Sequence, residues 1–366
     1  MRPLRPLKRR MSYEVVRRFP SSAALNPETQ IGFVFKLAVA GDQRSLAVAT
    51  QDRAIRLIDL ERLAIVSQIA PAHDATITDI QAVPVSVAGN STTFCSSSND
   101  GTCKIWDLRQ QAPVITVKVS NDSYDAPVFA ASVSESGTCA VSCGSSISMF
   151  KFGDWKKFFE YTESHFDNVS CLSFSRHSGQ ADLLVSGSDD GMVNVYNTTD
   201  LVNEDDGQCP IMTLNTEDSV RQVFWSHPAR MHVFSTTEAL SVWDISTGAR
   251  VCPNIDSIRS HPLVGSDETG WGYLVGMDAS GERVLAGNSD GTLVEFSTAT
   301  AQPINTFGKA HTGVIRSAVY LNSGKIVSAG EDGFLYEWAQ ATAANDLMSG
   351  NGHVRSQRVH SAARPY

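Results

Sequence analysis

The chain repeats itself, and that repetition restricts its fold more than any other feature. Four twelve-residue segments superpose without gaps: SSSNDGTCKIWD (96–107), SGSDDGMVNVYN (186–197), AGNSDGTLVEFS (286–297) and SAGEDGFLYEWA (328–339). Each reads as a strand, a tight Asp-Gly turn and a second strand with alternating apolar residues. Glycine after the aspartate supplies the positive φ that a two-residue hairpin turn demands. The alternation places one face of each strand in a core and the other outside it. A unit this small cannot bury its apolar face alone, so neighbouring copies must stack.

Three of the hairpins are preceded by a histidine and a further strand, beginning at His73, His165 and His311. This arrangement resembles the WD repeat. Weaker copies lie at Ala49–Asp59, Phe234–Asp244 and, most degenerate, Val128–Phe150. Seven units then fill the span from Ile31 to Trp338 at about 44 residues each, within the 40–45 of that repeat. The expected fold is all-β, a seven-bladed WD40 β-propeller over residues 12–340. The expected blades are near 31–70, 73–119, 127–161, 165–215, 219–253, 270–307 and 311–338. The last of these lacks an outer strand in sequence, and YEVVRRF (13–19) is expected to supply it and close the ring. Closure removes the open sheet edges that act as aggregation templates. Residues 1–11 read as a basic flexible arm and 341–366 as a disordered tail.

His73, Ser98, Asp100 and Trp106 include the residue types of a hydrolase triad. Through the resemblance they are instead expected to form a structural tetrad, repeated as His165, Ser188, Asp190 and Tyr196, and as His311, Asp332 and Trp338 with Gly330 in the serine position. A catalytic site is rarely repeated around a ring, and a buried polar network must be fully satisfied. Phosphate-binding, dinucleotide-binding, zinc-protease and nucleophile-elbow signatures are missing from the sequence. No catalytic residue, cofactor or metal ligand is therefore expected.

The inner strands suggest a binding position. Aligning the blades places Lys36, Thr78, Phe129, Ser170, Arg221, Leu274 and Arg316 at one register. By the resemblance this register opens at the mouth of the central channel. Two readings stand: a cationic mouth that receives an acidic or carboxylate-bearing peptide, or long cations that merely lie over the rim. A second short motif, WDLR, comprises Trp106, Asp107 and Arg109. It resembles the box by which some propellers dock as substrate receptors onto cullin-4 ubiquitin ligases.

Composition narrows the partners. With 30 Lys and Arg against 39 Asp and Glu the formal net charge is −9. Such a surface repels phosphate backbones, so nucleic acid is not the expected general partner. The basic termini keep nucleic-acid association as a further alternative. No apolar run reaches the roughly 18 residues of a membrane span. Seven cysteines without a CxxC pair point to reduced thiols inside the cell, in cytoplasm or nucleus, and to neither a disulfide framework nor a zinc site.

Beyond the repeat, the chain resembles the WD repeat-containing protein 89 family. The resemblance is carried by YTESHFDNVSCLSF, VSGSDDGMVNVYN, SVRQVFW, GKAHTGVIRS, VSAGEDGFLYEW and VRSQRVHS. It implies an intracellular propeller without known catalytic activity. The chain is expected to be a non-catalytic scaffold, itself monomeric, that binds other proteins through short peptide segments or complex subunits.

Overall fold

A computed structural model describes residues 13–20, 33–119, 126–162, 164–175, 182–199, 201, 209–227, 229–251, 255, 258–264 and 272–340. The expected basic arm (1–11) and tail (341–366) lie outside these residues. The strands form seven four-stranded antiparallel sheets. The first blade comprises β2 (Val34–Val39), β3 (Ser45–Thr50), β4 (Ile55–Asp59) and β5 (Ala64–Ile69). The second comprises β6 (Ile77–Ala82), β7 (Thr93–Ser98), β8 (Thr102–Asp107) and β9 (Ile115–Lys118). Next come β10 (Ala131–Val133), β11 (Thr138–Cys143), β12 (Ser146–Lys151) and β13 (Lys157–Tyr161). The fourth blade is β14 (Val169–Phe174), β15 (Leu183–Ser188), β16 (Met192–Asn197) and β17 (Met212–Asn215).

The fifth blade contains β18 (Val220–His227), β19 (Arg230–Ser235), β20 (Leu240–Asp244) and β21 (Ala249–Arg250). The sixth contains β22 (Gly272–Met277), β23 (Arg283–Asn288), β24 (Leu293–Ser297) and β25 (Pro303–Thr306). The seventh joins β26 (Ile315–Tyr320), β27 (Ile326–Gly330) and β28 (Phe334–Gln340) to β1 (Tyr13–Pro20). The fold is a seven-bladed β-propeller. No helix among the described residues is long and apolar enough to cross a membrane.

The ring is held by its cores, one between each pair of neighbouring blades. Phe94 and Trp106 of the second blade, for example, pack on Ala47 and Ile55 of the first. Ring closure uses the same device. Phe19 of β1 joins Leu335 of the seventh blade and Leu46 and Ile58 of the first in one cluster. Tyr13, at the other end of β1, packs with Trp338 and with Phe307 of the sixth blade. A strand taken from the start of the chain thus seals two cores formed at its end. Arg17 adds a bond from its guanidinium to the Glu61 carbonyl at 2.9 Å.

Candidate functional site

The three histidine networks lie where each hairpin turn meets the loop from the preceding blade. In the second blade His73 Nδ1 donates to Asp100 Oδ2 at 2.9 Å. Its Nε2 accepts from the Ser96 hydroxyl at 2.7 Å, and Ser96 Oγ in turn accepts the Trp106 indole N–H at 2.8 Å. The seventh blade repeats this set: His311 to Asp332 at 3.0 Å, Ser328 to His311 at 2.7 Å, and Trp338 to Ser328 at 2.8 Å. In the fourth blade His165 lies 3.1 Å from Asp190 and 2.7 Å from Ser186.

Two sequence expectations need correction here. The serine of each network is Ser96, Ser186 or Ser328, two residues before Ser98, Ser188 and Gly330. Ser98 and Ser188 instead accept the backbone N–H of Asp100 and Asp190, both at 3.1 Å, and so shape the turn. Tyr196 stands in the tryptophan's place with its hydroxyl near Asn194, Ser186 and Ser164, but it makes no hydrogen bond of normal geometry there, and its ring packs 4.3 Å from Tyr161.

Each aspartate also fastens the loop that carries its histidine. Asp100, Asp190 and Asp332 accept the backbone N–H of Asp74 at 2.9 Å, Phe166 at 2.9 Å and Thr312 at 3.1 Å. Burial pushes the Asp100 carboxyl up, but the Thr102 hydroxyl, His73 and the Asp74 N–H outweigh it and hold it at about 2. Burial pulls the His73 and His165 rings below the usual histidine range. Neutral imidazole and ionised carboxylate are the states this geometry requires, since Nε2 must accept from serine.

The seven residues expected at the channel mouth border the central cavity, which has lobes of about 880 and 480 Å³. Their chemistry differs from a free cationic ring. Lys36 Nζ lies 3.4 Å from Asp79, Arg221 binds Glu238 at 3.0 Å, and Arg316 Nε binds Glu331 at 2.9 Å. The Thr78 and Ser170 hydroxyls are given to the Val128 and Val220 carbonyls of the next blade. Leu274 turns its side chain into the core and is only 1% exposed. Its carbonyl accepts from Arg221 at 2.7 Å. The difference arises from β-bulges, which follow Val34, Ile77, Val169, Val220 and Ile315 but in the sixth blade fall after Leu274. Phe35 takes the register assigned to Lys36, and Tyr273 takes that assigned to Leu274, both lining the cavity.

Glu238 is the unusual member of this wall. It occupies the turn position that Gly101, Gly191, Gly291 and Gly333 hold in other blades, with φ of 65°. A non-glycine residue there carries strain of about 1 kcal/mol or more. The side chain offsets it by bonding both Arg221 and the Leu274 N–H, the latter at 2.8 Å. Burial raises the Glu238 carboxyl and lowers the Arg221 guanidinium, while each partner opposes the other's shift. This pair stitches the fifth blade to the sixth.

On the same hairpin end of the ring, Phe166 is fully exposed. Its backbone is held by the bond to Asp190, so a large apolar ring is presented from a fixed loop. Asp167 and Asp189 beside it are also exposed. In the WDLR segment Trp106 is sealed inside its network. Arg109 forks onto Asp107, with Nε at 2.8 Å, and stays 61% exposed. The Arg109 hydrogen bond, against the opposing effect of burial, brings Asp107 to about 2.

Of the residues missed in sequence, Glu238 had a signal: an acid aligned with four glycines. A buried histidine, His232, had none. Its Nε2 lies 2.7 Å from Ser226 Oγ, and burial pulls it down to about 4. A histidine whose folded value lies below its unfolded value of about 6.5 stabilises above pH 6.5 and loses that contribution as pH falls toward the folded value. Urea midpoints measured from pH 7 to pH 4 should therefore fall by roughly 3 kcal/mol equivalent from His232 alone. The same series on His232→Gln should be flatter over that window.

A ring of seven blades with Asp–His–Ser–Trp networks in two of them defines the class: the chain is a WD-repeat β-propeller. A profile of the family described as WD domain, G-beta repeat matches residues 66–107 and 156–197. The chain is similar to the WD repeat-containing protein 89 homolog of Dictyostelium discoideum, with 25% identity over 205 residues. That match covers 54% of this chain and 55% of the relative, so the chain spans about half the length of the relative it matches.

Proposed function

We propose that this propeller is a non-catalytic platform that binds another protein on the hairpin end of the ring, with Phe166 at the centre of the contact. The observation that carries this reading is a fully exposed phenylalanine on a backbone already fixed by Asp190. Burying such a ring is worth about 1.5–3 kcal/mol, and a preformed loop lowers the ordering cost of binding. The acids Asp167 and Asp189 favour a partner with an apolar pocket rimmed by Lys or Arg. The mouth cations are already paired within the chain, so they make a poorer site for an acidic peptide than their sequence register suggested.

Quantitative affinity purification tests this directly. Phe166→Asp should weaken recovery of the bound protein by about 2 kcal/mol, or roughly thirtyfold. Val66→Asp, on an exposed position of outer strand β5, should leave recovery unchanged. Equal recovery with Phe166→Asp would remove Phe166 from the interface.

A second reading, as a substrate receptor of a cullin-4 type ligase, is favoured by the outward guanidinium of Arg109. In the same experiment, a cullin adaptor lost on Arg109→Ala and retained with Phe166→Asp would support that reading in its place.

A further inference from the structure

Three cysteines that are far apart in sequence meet inside the ring. Cys95 on β7, Cys103 on β8 and Cys139 on β11 have sulfurs all within 4.8 Å of one another, and the first two are 3.3 Å apart. They come from two blades, and all three are buried, at 2%, 0% and 0% exposure. Their surroundings are apolar, including Val83, Ile105, Val117, Val128, Val133 and Phe150. No histidine, aspartate or glutamate joins the group among the described residues.

We infer that this trio is a binding site for a soft monovalent metal ion, Cu(I), coordinated by three sulfurs between the second and third blades. A point equidistant from atoms no more than 4.8 Å apart lies within about 2.8 Å of each, so bonds near the 2.3 Å of a metal–thiolate need a closure of only about half an ångström. Structural zinc takes four ligands, and this pocket offers three sulfurs without a fourth donor. Soft sulfur donors at low coordination number select Cu(I) over hard cations. One Cu(I) binding with release of one thiol proton leaves one thiolate and two thiols around the ion. That assembly is neutral, as an apolar core demands.

The test uses the full chain, reduced under anaerobic conditions, with Cu(I) supplied as its acetonitrile complex both to folded protein and during refolding. A colorimetric Cu(I) chelator competes for the ion. The expected result is one Cu(I) per chain resisting the chelator, X-ray absorption showing three sulfur neighbours, and a higher melting temperature with the ion bound. Cys103→Ser and Cys139→Ser should each weaken retention by more than the 10–100-fold that losing a supporting contact costs. Circular dichroism establishes that these variants remain folded. A chain with Cys143, Cys171, Cys209 and Cys252 all changed to alanine tests the trio alone and should retain the ion. Overturning results are no chelator-resistant Cu(I) in wild-type protein under either loading condition, loss in the four-alanine chain, or two-sulfur coordination unaffected by Cys139→Ser.

Discussion

Removing residues 1–20 should destabilise the protein by more than 5 kcal/mol and convert it to a self-associating species. Strand β1 pairs with β28 from Tyr13–Gln340 to Pro20–Phe334. Its loss uncovers the backbone edge of β28 and opens two cores, one through Tyr13 and the other through Phe19. Each of these side chains contributes about 1.5–3 kcal/mol by burial. Each lost ladder hydrogen bond adds about 0.5–1.5 kcal/mol. Arg18, whose guanidinium lies 3.7 Å from the Phe334 ring centre, and Arg17, 3.5 Å from Glu337, leave with the strand. Glu337 is buried and would keep only Lys325, at 2.7 Å. The combined loss is comparable to the whole stability of an ordinary domain. Thermal unfolding and light scattering provide the measurement. A truncated chain that melts like wild type and stays monomeric would mean that β1 does not seal the ring.

Ser328→Ala should cost about 2–4 kcal/mol, with Ser96→Ala close behind, whereas Ser98→Ala should cost about 1 kcal/mol or less. The first two remove a hydroxyl that serves a tryptophan and a histidine at once. Trp338 and His311 are each 0% exposed, so both nitrogens would be left unpaired away from water. A buried polar group without a partner costs about 1–3 kcal/mol. Ser98 is equally buried, but its Oγ accepts a single backbone N–H, that of the partly exposed Asp100, so its loss leaves one donor unpaired and not two. Urea denaturation of the three variants ranks them. Ser98→Ala proving worse than Ser96→Ala would reverse the assignment of the network.

That reassignment shows where sequence reasoning loses resolution. SSSND and SGSDD place serine at both candidate positions, and period-two alternation sends both to the same face of the strand. Only the seventh blade separates them, because SAGED holds serine at 328 and glycine at 330. The hairpins themselves were readable because an Asp-Gly turn and alternating strands are local properties. So was the outer strand at 13–19, since nothing else in the chain supplied an edge for Trp338. The channel wall was less legible because a bulge shifts every following side chain by one and leaves no mark in composition. Leu274 was placed wrongly for that reason, while Lys36 borders the cavity one residue past the register, which Phe35 holds. The cysteine trio was invisible to a search for CxxC, since the closure of neighbouring blades, and not local spacing, brings Cys139 to Cys95 and Cys103. Phe166 carries no distinguishing signal in the sequence, and only its full exposure on a pinned backbone singles it out.

The most direct measurement of recognition at the hairpin end is site-specific photo-crosslinking in living cells. A benzoyl-phenylalanine placed at position 166 is compared with the same residue at position 66 on the outer strand. The expected result is a discrete protein adduct at 166 and none at 66. Adducts at 66 with none at 166 would contradict recognition through this face and move the interface to the rim of the ring.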